Sequence, residues 1–128
     1  MVSGMEHLAI ISQDTAKLKD WYLDMFGGKV VYDNGKGTYF LAFPDGSMIE
    51  FIMSDQKNGE NELKTGGIRH IALAVGDSEF DAQVKQLKDA NVEVLTDVSV
   101  SAKGIKTFFF RDIDGNILHL IYRPTPLV

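Results

Sequence analysis

Apolar residues in this chain come in short runs separated by glycine- and aspartate-bearing segments, and the rhythm occurs twice. Residues 5–11 form the first run, a strand with His7 ahead of Leu8, Ala9, Ile10 and Ile11. Asp14 or Thr15 can cap a helix over about residues 17–26, in which Leu18, Trp21, Tyr22, Met25 and Phe26 fall at helical spacing. Gly27 and Gly28 stop that helix. Strands are then expected over residues 29–32, 38–43 and 47–53, with turns at residues 33–37 and 44–46. Residues 54–67 are polar and contain glycines, so they read as a linker, and Asp55, Glu60 and Glu62 within it read as a solvated loop.

The second half repeats this order. Residues 68–75 read as a strand, Asp77 or Ser78 as the cap of a helix over about 79–90, and Phe80, Val84 and Leu87 as its buried stripe. Residues 92–95 read as a strand, 96–103 as a stretch that can hold part of another, and 105–111 and 116–122 as strands around an Asp114-Gly115 turn. Each half is thus β-α-β-β-β. That order implies an α+β fold of two tandem modules, each a curved, antiparallel-rich sheet with one helix on its convex face. Module one covers about residues 5–53 and module two about 68–122, in a single domain over 1–128.

The two copies can be aligned residue by residue. His70 in Arg69-His70-Ile71-Ala72-Leu73-Ala74-Val75 lies 63 residues after His7. Asp114-Gly115-Asn116-Ile117-Leu118-His119-Leu120 matches Asp45-Gly46-Ser47-Met48-Ile49-Glu50-Phe51, so His119 lies 69 residues after Glu50. The longer second offset places an insertion within residues 96–103. Strand alternation then sets His7, Glu50, His70 and His119 on the faces turned away from the helices. The small Ala9 and Ala72 leave room beside the two imidazoles at 7 and 70.

Composition removes several classes of function. A hydrophobic fraction of 45%, a charged fraction of 24% and 128 residues describe an ordinary globular domain. A net charge of −5 without a clustered basic face argues against nucleic acid. No apolar run approaches the ~20 residues of a membrane span, and the first four residues are no signal peptide, so a cytoplasmic location and no membrane partner are expected. With no cysteine, thiolate ligands, disulfides and a cysteine nucleophile are excluded.

The duplicated β-α-β-β-β order, His7, Glu50, His70 and the stretch Phe110-Arg111-Asp112-Ile113-Asp114-Gly115-Asn116 together resemble the vicinal-oxygen-chelate superfamily, which includes glyoxalase I, extradiol dioxygenases, fosfomycin-resistance transferases and bleomycin-binding proteins. The resemblance covers residues 5–122. Ile113 stands where members commonly have proline, and His119 where they commonly have glutamate. The resemblance implies a cleft in which His7, Glu50, His70 and His119 bind one divalent metal. Three imidazoles and a carboxylate suit Zn²⁺, Ni²⁺, Co²⁺, Fe²⁺ or Mn²⁺, and leave the centre at a formal charge of about +1.

A small-molecule substrate, a homodimer and a glyoxalase-like lyase or isomerase reaction through an enediolate are what the resemblance then implies, with Glu50 as both ligand and proton shuttle. An extradiol-type dioxygenase and a non-catalytic drug-binding protein are the alternatives on the same scaffold. Of the run 108–110, at least one phenylalanine ring should face the cleft. Trp21, Tyr22 and Phe26 are expected in the core, Arg69 and Arg111 on the opposite face or near a turn, and Arg123 at the rim.

Overall fold

A computed structural model describes residues 1–56 and 66–128. Much of the expected linker, including Glu60 and Glu62, lies outside the described residues. The chain divides into two compact units, Met1–Gly59 and Glu60–Val128.

The first unit contains β1 (His7–Ser12), α1 (Thr15–Phe26), β2 (Lys29–Asp33), β3 (Tyr39–Ala42) and β4 (Met48–Met53). Its strands lie in the order β1-β4-β3-β2. Short turns make β2, β3 and β4 an antiparallel meander, whereas β1 leaves through α1 and lies parallel to β4. The sheet is therefore mixed. Asp14 caps α1 by accepting a hydrogen bond from the Lys17 backbone N–H at 3.1 Å. Gly27 ends the helix at φ 73°, a left-handed conformation that suits glycine. Leu18 and Tyr22 of α1 are buried with Ile10, Leu41, Ile49 and Phe51, which gives the sheet one covered face. Trp21 and Phe26 join Tyr22 in an edge-to-face aromatic cluster, but of the three expected in the core only Tyr22 is buried, and Trp21 and Phe26 are half-buried at its edge.

The second unit repeats the plan with β5 (Ile71–Ala74), α2 (Asp77–Asp89), β6 (Val94–Val100), β7 (Lys106–Arg111) and β8 (Ile117–Tyr122), in the order β5-β8-β7-β6. Phe80, Val84 and Leu87 are buried with Phe108, Phe110, Leu118 and Leu120. The turns that lead into β4 and β8 are built alike. Gly46 N–H donates to the Phe43 carbonyl and Gly115 N–H to the Asp112 carbonyl, and both glycines sit at φ near 90°.

Four local expectations need correction. His70 lies just before β5 and not within it, because the first rung of that ladder is Ile71 opposite Leu118. β6 is a single strand over Val94–Val100, held against β7 through two register shifts, where a short strand and an undecided stretch were expected. The added length falls in this hairpin: Val30 pairs with Leu41, but Val94 pairs with Phe110. The N-cap of α2 is Gly76, which has no side chain to cap with, so neither Asp77 nor Ser78 takes that role. Arg69 was expected away from the site and instead stands over Phe109.

Candidate functional site

In the first unit the β1–β4 ladder sets Ala9 opposite Glu50, and the β3–β4 ladder sets Phe40 opposite Glu50. His7 Nε2 comes within 3.5 Å of Glu50 Oε1. The other ring nitrogen, Nδ1, lies 3.0 Å from Glu6 Oε1, and the Phe40 ring meets the imidazole edge-on at 5.3 Å. A carboxylate behind a histidine fixes the orientation and tautomer of the ring and strengthens it as a ligand. Glu6 is thus a member of the site that the spacing of the repeats did not identify.

In the second unit Ala72 lies opposite His119, and Phe109 lies opposite His119 on β7. The His70 and His119 rings stand 4.4 Å apart between centres. Phe109 stacks on His119 at 4.4 Å and meets His70 edge-on at 5.6 Å. This is the inward-facing ring of the three consecutive phenylalanines, since Phe108 and Phe110 are in the core. The Arg69 guanidinium lies 5.3 Å from the centre of the Phe109 ring. Arg111 donates to the Gly115 carbonyl at 2.8 Å and pairs with Glu93, so it braces the turn.

Burial dominates the electrostatics of the second pair. His119 is only 7% exposed, and its pKa is lowered to about 4, first by burial and then by His70, Arg69 and Arg123. The His70 pKa is also lowered, by burial and then by Arg69. Both rings are therefore neutral at pH 7, the state a metal ligand must have. Each also keeps a buried Nδ1 with no hydrogen-bond partner among the described residues. Such a nitrogen calls for an ion or water to satisfy it, so the donor set fits a borderline divalent metal.

The structure brings His7 to Glu50 and His70 to His119. Among the described residues, no three His, Asp or Glu side chains converge so as to hold a metal ion.

Residues 4–120 match the family model of the glyoxalase/bleomycin resistance protein/dioxygenase superfamily. The chain belongs to this superfamily. It is 26% identical over 121 residues to the metallothiol transferase FosB of Staphylococcus haemolyticus, covering 94% of this chain and 84% of that protein. It is 34% identical over 125 residues to the uncharacterized protein YaeR of Escherichia coli, covering 91% of this chain and 93% of that one. Among solved structures, the fosfomycin resistance protein FosX of Listeria monocytogenes superposes with a TM-score of 0.80 at 22% identity, over 99% of this chain and 94% of FosX. A further FosX structure is a complex with Mn(II) and 1S,2S-dihydroxypropylphosphonic acid. The mixed four-stranded sheets and their covering helices are the shared fold.

Proposed function

We propose that this member of the superfamily is a divalent-metal-dependent enzyme acting on a small substrate with two neighbouring oxygens, and that Glu50 moves the proton. His7, Glu50, His70 and His119 are the metal ligands in this reading, and a homodimer is the working form. The observation that carries it is the matched pairing: Glu50 and His119 stand at equivalent ladder positions, opposite Ala9 and Ala72, with His7 beside the first and His70 beside the second, and His70 and His119 each keep an unsatisfied buried nitrogen. A bound divalent ion supplies a positive centre that polarises a chelated carbonyl.

The protein's own groups do the rest. Glu50 is the only carboxylate of the four, so it takes a proton from the carbon beside the carbonyl and returns it to a neighbouring atom, a lyase or isomerase step. Glu6 holds His7 in orientation through Nδ1. Phe40 sets apolar surface beside His7, and Phe109 beside His119. With His119 in place of a second carboxylate, the two-carboxylate scheme of glyoxalase I is not the one proposed.

A second reading, thiol transfer, is favoured by the similarity to FosB across nearly the whole chain. There Glu50 takes the proton of the incoming thiol, the sulfur bonds to a substrate carbon as that carbon's bond to oxygen breaks, and the proton passes to the freed oxygen.

Elemental analysis of purified protein, before and after metal loading, tests the shared premise. One divalent ion per site is expected in the wild type and a large deficit in His70→Ala. Equal, negligible metal in both would remove the premise. Light scattering reads the homodimer. Assays without oxygen then compare α-ketoaldehyde–thiol adducts and acyl-CoA epimers with fosfomycin plus a low-molecular-weight thiol. Turnover of the first two supports the lyase/isomerase reading, and a thiol-bearing product supports transfer. A strict oxygen requirement would point to a dioxygenase, and saturable binding without product to a drug-binding protein.

A further inference from the structure

A cavity of about 480 Å³ opens at the C-terminal ends of the parallel strands β5 and β8. Its size is in the range of small-ligand pockets. Ala74 and Ile121 form its floor, Pro126 and Leu127 contribute a wall, and Arg123 lines it as well. Among the described residues that line it, Arg123 is the one that carries charge.

The β5–β8 register relates the cavity's lining to the histidine pair. Ala74 lies opposite Ile121, two rungs beyond Ala72 opposite His119. Alternation gives Ala74 and Ile121 the same face as His119, roughly 7 Å further along the strand. A molecule with oxygens at His119 therefore needs only a few carbons to reach the cavity. An apolar hollow gains from being filled by apolar groups, and an arginine at its wall selects an anion, because guanidinium matches the two oxygens of a carboxylate or phosphonate. No ion pair occupies Arg123 among the described residues.

We infer that this cavity is the subsite for the apolar arm of the substrate, and that Arg123 receives an anionic oxygen group on it. The substrate class is then a small organic anion with an apolar body. The inference rests on the proposed function for what happens at His119, but the cavity residues are not among the ligands, so the two can fail separately.

The test is calorimetric titration of metal-loaded and chelator-treated protein with linear alkylphosphonates of three, five and seven carbons, alkanoates of matched length, and the corresponding alcohols. Affinity should rise about two- to fourfold per added methylene. Anions should bind about tenfold more tightly than alcohols of equal length. Whichever anion series binds more tightly identifies the headgroup.

Arg123→Gln should erase the anion preference and keep the chain-length dependence, and Arg123→Lys should restore part of the preference. Ala74→Leu should do the opposite of Arg123→Gln, with folding of each variant checked by circular dichroism. Affinity independent of chain length, or an Arg123→Gln variant equal to wild type, overturns the subsite. If the protein takes up no metal yet keeps both dependences, the metal reading fails and the subsite stands. If it takes up metal but shows neither dependence, the reverse holds.

Discussion

The two histidine-bearing pairs are built around equivalent rungs, Glu50 opposite Ala9 and His119 opposite Ala72, and have different chemistry. In the first, Ala9, Phe40 and Glu50 share a rung, His7 is exposed, and carboxylates approach it at both ring nitrogens. In the second, Ala72, Phe109 and His119 share the equivalent rung, no carboxylate pairs with either histidine among the described residues, and Arg69 lies over the aromatic ring. A duplicated backbone thus repeats where side chains meet without repeating their charge. Under the proposed function the first pair holds and moves a proton. The second is arranged to stay neutral, because burial and nearby cations both oppose a proton on His119.

The most severe test of this contrast is at Glu50. Glu50→Gln should lower turnover by about 10²- to 10⁴-fold, the usual worth of a general base. His119→Glu, which gives the second pair the carboxylate of the first, should retain metal and stay within about tenfold of wild-type turnover. If both variants lose activity equally, the proton is not handled by the first pair alone. Steady-state rates together with metal content decide.

A smaller effect concerns pH. The His119 pKa is lowered to about 4 in the fold, against about 6.5 in an unfolded chain. Between those values the unfolded state binds a proton that the folded state refuses. Stability is therefore full above about pH 6.5 and is lost as pH falls towards 4, on the order of 2 kcal/mol between pH 7 and pH 5. His70 contributes in the same direction. Urea midpoints of chelator-treated protein should show this slope, and His119→Gln should flatten it. A slope unchanged in the variant would mean that His119 is not the group responsible.

The two turns give a third comparison. Asp112 is buried and accepts hydrogen bonds from the Asp114 and Asn116 backbones and the Asn116 side chain. Asp45 is exposed and accepts from the Ser47 backbone and hydroxyl, whose hydrogen bonds lower its pKa. Asp112→Ala should cost about 1–3 kcal/mol, and Asp45→Ala distinctly less. Thermal melts of the two variants measured side by side check this order.

The smallest expected change is at Arg69. Removing its positive charge in Arg69→Gln should move the His70 titration upward, because the guanidinium opposes protonation of the neighbouring ring. Proton NMR of the imidazole signals reads the direction. A downward or absent shift would show that the guanidinium does not act on this ring.

Much of this was legible in the residues alone. The β-α-β-β-β order, the faces of the strands and the Gly46 and Gly115 turns follow from alternation and turn chemistry, which act over a few neighbouring residues, and the four candidate ligands are what the resemblance to the superfamily implies for the repeated positions. Phe109 could have been found the same way, because Phe40 lies 69 residues earlier, at the same offset as Glu50 from His119. Glu6, Arg69 and the extent of β6 could not. The contact of Glu6 with His7 depends on the rotamer of an exposed side chain, and the place of Arg69 on where the β5–β8 ladder begins beside it. The length of β6 depends on how far β7 offers partners. The cavity beside Arg123 is of the same kind, since its floor comes from two strands 47 residues apart, Ala74 and Ile121, that become neighbours only when β5 lies parallel to β8. The sequence by itself determined which residues face the site. Tertiary structure decided which of them touch, and how burial sets their charge, because pairing between distant strands and exclusion of water belong to the folded whole.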